Sequence, residues 1–272
     1  MALTFNPKNH RYTCDTPQGV QVTISGVTTL LGGGIPKPAL PHWSARVVAE
    51  YVDANPQEIE RLRGLPDVPY KGRTRSALVN ELINIPTRER DLAANRGTDI
   101  HGIAEKLNTL GVAELSGEHT SEIDGYLEFL DTWGIETVLA ERMGVNRAEW
   151  YAGTFDLIAT SPHWEGNALI DLKTSNGVYG EVALQAAAYS RFEVYLNDDG
   201  EEVPMPPISR TFVAHIRPGA TDLYSLCESP EAIEESFQQF RCAAYITKTT
   251  KRRNGYIKDP LPQPNTEQKD AA

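Results

Sequence analysis

Two runs decide the fold: Gly153-Thr154-Phe155-Asp156-Leu157-Ile158 and Leu169-Ile170-Asp171-Leu172-Lys173-Thr174. Between them, Ser161-Pro162-His163-Trp164-Glu165-Gly166 carries proline near one end and glycine at the other. β-Branched, aromatic and aliphatic runs flanking such punctuation read as a β-hairpin. A turn centred between His163 and Trp164 sets residues symmetric about that point opposite each other, so Asp156 is expected to face Asp171. Because side chains alternate along a strand, Lys173 shares the face of Asp171, while Phe155, Leu157, Ile170 and Leu172 turn the other way into a core. The hairpin is thus expected to have one apolar face and one charged face.

Two carboxylates directly opposed, with Cβ atoms roughly 5 Å apart, destabilise a sheet unless positive charge lies between them. A bound divalent cation is the simplest remedy. The competing reading puts both aspartates on a solvated face with Lys173 as an exposed partner. The apolar neighbours on either side of each aspartate weigh against it, because they mark strands that are central rather than at an edge.

At 272 residues and 40% hydrophobic content, the chain can bury a sizeable core as one large domain, or as one domain with a helical addition. No stretch approaches the roughly 18 consecutive apolar residues of a membrane span, and the N-terminus has no charged-then-apolar signal pattern. The expectation is a soluble cytoplasmic protein without a membrane partner. Cys14, Cys227 and Cys242 are far apart in the sequence, which gives neither a disulfide framework nor a zinc or iron–sulfur motif. A formal net charge of −11 argues against a polyanionic ligand. Basic residues nevertheless gather at Lys71, Arg73, Arg75, Arg88, Arg90 and Arg96, and again at Lys248, Lys251, Arg252, Arg253 and Lys258. Such clusters are usually solvated faces, but beside an acidic centre they can hold a phosphate backbone.

Composition and periodicity place short strands near residues 11–14 and 20–24, then a glycine-rich turn at Gly32-Gly33-Gly34-Ile35-Pro36-Lys37. That turn lacks the spacing of a phosphate loop, and Pro36 removes an amide donor. Helical patterning runs from about 41 to 108 and includes a long amphipathic helix from Thr87 bent at Gly97; a further helix covers about 121–133. Strands are expected near 136–145, 150–160, 168–174, 209–215 and 222–227, helices at 181–196 and 230–247, and a disordered tail from 259. The class is α/β or α+β, with a mixed sheet flanked by helices. Residues 1–95 form N-terminal strands and a helical region packed on a core at 96–258.

Four further residues are candidates. A turn near Arg147 and Ala148 puts Glu141 opposite Thr154 and diagonal to Asp156, although a salt bridge to Arg142 or a solvated position is equally open. His101, on a helix that presents Glu105 one turn later, reads by itself as a half-buried structural residue. Gln185 and Tyr189, at i and i+4, share one helix face, and a glutamine among alanines needs a hydrogen-bonding partner. A site of oxygen ligands with one imidazole suits Mg²⁺ or Mn²⁺.

Taken together these elements resemble the RecB-like branch of the PD-(D/E)XK nuclease superfamily. Gly153-Thr154-Phe155-Asp156 matches its G-x-x-D element, Asp171-Leu172-Lys173-Thr174 its D-x-K-T element, Gln185 to Tyr189 its Q-x-x-x-Y helix, and Arg96-Gly97-Thr98-Asp99-Ile100-His101 its upstream R-G-T-x-x-H helix. The resemblance covers about residues 96–189. Gly26 to Gly34, followed by Pro36-Lys37-Pro38-Ala39-Leu40, is also similar to the N-terminal region of bacteriophage exonucleases of this group. It implies a restriction-endonuclease-like core and a metal-dependent DNA exonuclease of phage recombination, repair or processing. In that reading His101, Asp156, Asp171 and the Leu172 carbonyl hold Mg²⁺ or Mn²⁺, and Glu141 aligns loosely with an acidic position. Lys173 assists the attacking water, and Gln185 and Tyr189 position DNA or brace the site. DNA is the implied partner, with a single-strand annealing or recombination protein beside it. Iron–sulfur members use four cysteines, so no cluster is carried over. The alternatives are a catalytically silent DNA-binding or recombination-accessory module and a structure-selective endonuclease.

Overall fold

A computed structural model describes residues 3–6, 11–16, 18–111 and 119–261; the tail expected to be disordered lies outside them from residue 262 onward. The chain opens with strands β1 (Leu3–Asn6), β2 (Arg11–Asp15) and β3 (Gln21–Gly26), then helices α1 (Val27–Gly34), α2 (Ala39–Ala54) and α3 (Pro56–Arg63). A short hairpin, β4 (Val68–Tyr70) and β5 (Arg73–Arg75), leads into α4 (Ala77–Leu110) and α5 (Thr120–Thr132). The long strands β6 (Glu136–Asn146), β7 (Tyr151–Ser161) and β8 (Trp164–Lys173) follow, then α6 (Glu181–Ser190), β9 (Val194–Leu196), β10 (Glu202–Pro204), β11 (Ile208–Arg217), β12 (Ala220–Cys227) and α7 (Pro230–Asn254). Ten of these strands form one mixed sheet. The fold is α+β, with helices on both faces.

Two apolar clusters sandwich the sheet. Phe155, Ile158 and Leu169 pack with residues of α1, α6 and α7, whereas Leu157, Ile170 and Leu172 pack with Ile100 and Ala104 of α4 and with α5. The expected division into an apolar and a charged face is therefore corrected: both faces are covered, and Asp171 is only 1% exposed. Phe155 and Leu157, two apart and on one face of a regular strand, lie in different clusters, so alternation breaks at Asp156.

The partners of β7 create a notch at this break. Along one edge β7 pairs with β6 over almost its whole length. The other edge is shared: β3 pairs in parallel with Tyr151 and Ala152 at its start, and β8 pairs antiparallel with Leu157 to Ser161 at its end. Among the described residues, 153–156 are left without a strand on that side.

Several local expectations change. Gly32 to Gly34 are not a turn but the end of α1, where a Cβ on Gly34 would come 2.2 Å from the Ala243 carbonyl oxygen of α7. Glycine permits that helix contact. The helix at 181 ends at Ser190, and its expected last residues form β9 instead. The helix expected from Thr87 starts at Ala77 and carries Pro86 in its interior, while the β4–β5 hairpin precedes it.

Candidate metal centre

The register at the β7–β8 hairpin matches expectation by an unexpected route. The turn is Pro162-His163, closed by the Ser161–Trp164 pair, and a bulge on β8 around Gly166 (φ +71°) restores Ala159 opposite Ala168 and Leu157 opposite Ile170. Asp156 and Asp171 are the next residues in this register, yet the ladder stops at Leu157–Ile170. There the Leu172 amide donates to Asp156 Oδ2 at 2.6 Å, so a side chain takes the place of a backbone rung where the strands part.

Glu141 sits in a different place from the one expected. The β6–β7 turn spans residues 147–150, which sets Ala140 against Leu157 and Arg142 against Phe155 and so puts Glu141 directly across from Asp156 rather than opposite Thr154. Its φ of +48° lies in the left-handed region, where a non-glycine residue is strained by about 1–3 kcal/mol. Such strain persists only where the surroundings over-determine it, and here it lies directly across from Asp156. Nor does Arg142 take up Glu141; it pairs with Asp198.

His101 reaches the notch from α4, with Nδ1 3.5 Å from Asp156 Oδ1. One ligand atom each from His101, Glu141 and Asp156 lies within 4.8 Å of the others. Asp171 stands outside this group but feels its charge. It pairs with Lys173 at 2.5 Å, and its Oδ1, fully buried, accepts no hydrogen bond among the described residues.

Buried, crowded carboxylates hold protons. Burial, reinforced by Asp156, pushes the Glu141 carboxyl up to about 8, and burial together with Asp156 raises Asp171 to about 6 despite Lys173. Burial alone would lower His101 and Lys173, but the neighbouring carboxylates outweigh it and raise both. His101, Glu141, Asp156, Asp171 and Lys173 therefore act on one another as a single charged centre that a cation would stabilise by displacing protons. An imidazole, clustered carboxylates and an orphaned buried carboxylate oxygen fit a divalent ion of the Mg²⁺ or Mn²⁺ type.

Gln185 and Tyr189 come together on α6, where Gln185 Nε2 donates to Tyr189 Oη at 3.2 Å. The Tyr189 ring presses on β7, and a Cβ on Gly153 would meet its Cε1 at 2.7 Å. Burial, then Asp171 and Asp156, holds the Tyr189 phenol well above its usual range, so it stays protonated as a brace beside the acids. Gly97 serves a similar packing purpose at the other motif: a Cβ there would come 3.0 Å from Thr174 Oγ1, at the end of β8. The R-G-T and D-x-K-T segments touch at these two residues.

Sequence reasoning missed Tyr12. From β2 its hydroxyl lies 3.1 Å from Thr154 Oγ1, and burial raises its pKa, with Glu141 adding to the effect. No local pattern announces it, since the contact spans 142 positions. The three cysteines are free, and among the described residues no helix is long and apolar enough to cross a membrane. No protein-family model matches the chain, and no curated protein matches it.

Proposed function

We propose that the chain is a divalent-metal-dependent nuclease that hydrolyses phosphodiester bonds of DNA from an end. The observation that carries this reading is the His101–Glu141–Asp156 triad, its ligand atoms within 4.8 Å of each other in the notch of the sheet, with the Asp171–Lys173 pair adjoining it. The order of the R-G-T-x-x-H, G-x-x-D, D-x-K-T and Q-x-x-x-Y segments, and their resemblance to RecB-like nucleases, supports the same assignment and a restriction-endonuclease-like core.

His101, Glu141 and Asp156 would hold the ion, with Asp171 adjoining. When bound, Mg²⁺ or Mn²⁺ neutralises phosphate charge and lowers the pKa of an attacking water. Lys173 remains protonated beside Asp171 and can donate to the attacking water or to the oxyanion that develops on the phosphate. Asp156 is held rigid by the Leu172 amide, which limits reorganisation during the reaction. Tyr189, held by Gln185, packs α6 against Gly153 of β7.

End-labelled DNA incubated with purified protein and Mn²⁺ tests the reading. Wild type is expected to release nucleotides and Asp171→Ala to lose at least a thousand-fold in rate, about 4 kcal/mol in barrier. Equal release by the two proteins would overturn it, and nicking of closed circular DNA would replace the exonuclease with an endonuclease.

A further inference from the structure

A cleft of about 740 Å³ opens between α2, α4 and the segment after β8. Two of its lining residues adjoin the acidic centre along the chain. Gly97, on its wall, is one helical turn before His101, and Thr174, also on its wall, directly follows Lys173. Its lining is mainly apolar, with Leu40, Trp43 and Tyr179 as the large groups; its charged groups are Glu89 and the two cations Arg90 and Arg96, which pair with Asp91 and Glu122 and keep exposed guanidinium donors.

Three observations mark this cleft as built for a ligand. Tyr179 is 64% exposed and Leu40 50% exposed although both line a concave wall. Helix α2, sixteen residues long and amphipathic, packs against α4 and α3 yet has no fully buried residue, and its Trp43 on the cleft wall is only half-buried. The segment carrying Tyr179 is fixed at its base: His215 Nε2 donates to the Ser175 carbonyl at 2.6 Å, and Ser175 Oγ donates to the Gly177 carbonyl at 2.8 Å.

Aromatic rings combined with arginines suit a flexible polyanion whose units have flat faces. Base–aromatic stacking is tolerant of sequence, and the guanidinium groups answer the phosphates. The volume falls within the roughly 300–1,000 Å³ of pockets that enclose small molecules, enough for a few unstacked nucleotide units but not for a duplex. We infer that this cleft binds the unpaired end of a nucleic-acid strand, stacking its bases on Trp43 and Tyr179 and leading its backbone past Arg90 and Arg96 to the acidic centre. The direction of travel rests on the nuclease reading; the binding does not.

Fluorescence anisotropy of the full chain with Mn²⁺ and a labelled phosphorothioate dT oligonucleotide, which resists hydrolysis, measures the binding directly. A blunt duplex of equal length is the comparison. The single strand is expected to bind more tightly than the duplex, and Trp43→Ala and Tyr179→Ala should each weaken single-strand binding roughly 5- to 150-fold. Trp43→Phe, which keeps a ring, should retain most of the affinity and so separates stacking from misfolding. Unchanged single-strand binding in both alanine variants overturns the inference, as does a duplex preference. Nucleotide release assays separate the two readings: binding that depends on Trp43 without any release sinks the nuclease and keeps the cleft, whereas release of single strands unaffected by both variants sinks the cleft and keeps the nuclease.

Discussion

The Asp171–Lys173 pair and the His101–Glu141–Asp156 group share one notch, yet they handle buried negative charge differently. Asp171 carries its own counter-ion two residues along the strand, at 2.5 Å. The other group has two carboxylates and an imidazole from three separate elements, and it limits their repulsion by keeping a proton on Glu141 up to about pH 8. The first half is neutralised within the chain, while the second holds a proton on Glu141 that a bound cation would displace. A centre with both kinds of site can hold a cation without losing the lysine that assists it.

The largest effect is expected from breaking the self-neutralised half. Lys173→Ala leaves Asp171 buried and unpaired, and chemical denaturation of the metal-free protein should show a loss of about 3–5 kcal/mol. Adding Asp171→Leu to that variant should recover most of it; a Lys173→Ala protein as stable as wild type would show that Asp171 does not depend on the lysine. Next comes the brace behind that half. Gly153→Ala forces a Cβ against Tyr189, an overpacking expected to cost about 1–3 kcal/mol by the same denaturation measurement.

The other half responds to pH with a definite sign. Glu141 has a folded pKa raised from 4.5 to about 8, so the stability it contributes is fully present below pH 4.5 and is lost as pH rises through 8. Asp171 acts in the same direction between 3.8 and about 6. The melting temperature of the metal-free protein should therefore fall across this range, and Glu141→Gln should flatten the fall and raise the melting temperature at pH 8 by a few degrees. A Glu141→Gln protein whose pH profile parallels that of wild type would contradict the assignment. Smaller still is Gly97→Ala, because the Thr174 hydroxyl can rotate away; a change within about 1 kcal/mol is expected.

Much of this was legible in the sequence, unevenly and for physical reasons. The β7–β8 hairpin, the mixed sheet and the placement of Asp156 beside Asp171 follow from alternation and turn residues, which act locally. The turn falls one position earlier than its proline and glycine suggest, and the bulge at Gly166 compensates for it. The place of Glu141 is not legible because register depends on turn length, and Ala148 to Trp150 carry no strong turn signal. The second apolar face was invisible for a similar reason: a strand covered on both sides shows continuous hydrophobicity, and only the break at Asp156 sends Phe155 and Leu157 to different cores. His101 stood out only through resemblance, and Tyr12 not at all, since a contact between distant strands leaves no periodic trace.

Titration calorimetry of the full chain with Mn²⁺, repeated at pH 7 in buffers of different ionisation enthalpy, tests the central claim most directly. The account predicts binding accompanied by release of about one proton or more per ion, mainly from Glu141, with Asp156→Asn abolishing the binding and Glu141→Gln removing most of the proton release. Absence of Mn²⁺ binding by wild type, or binding and proton release unchanged in both variants, would contradict it.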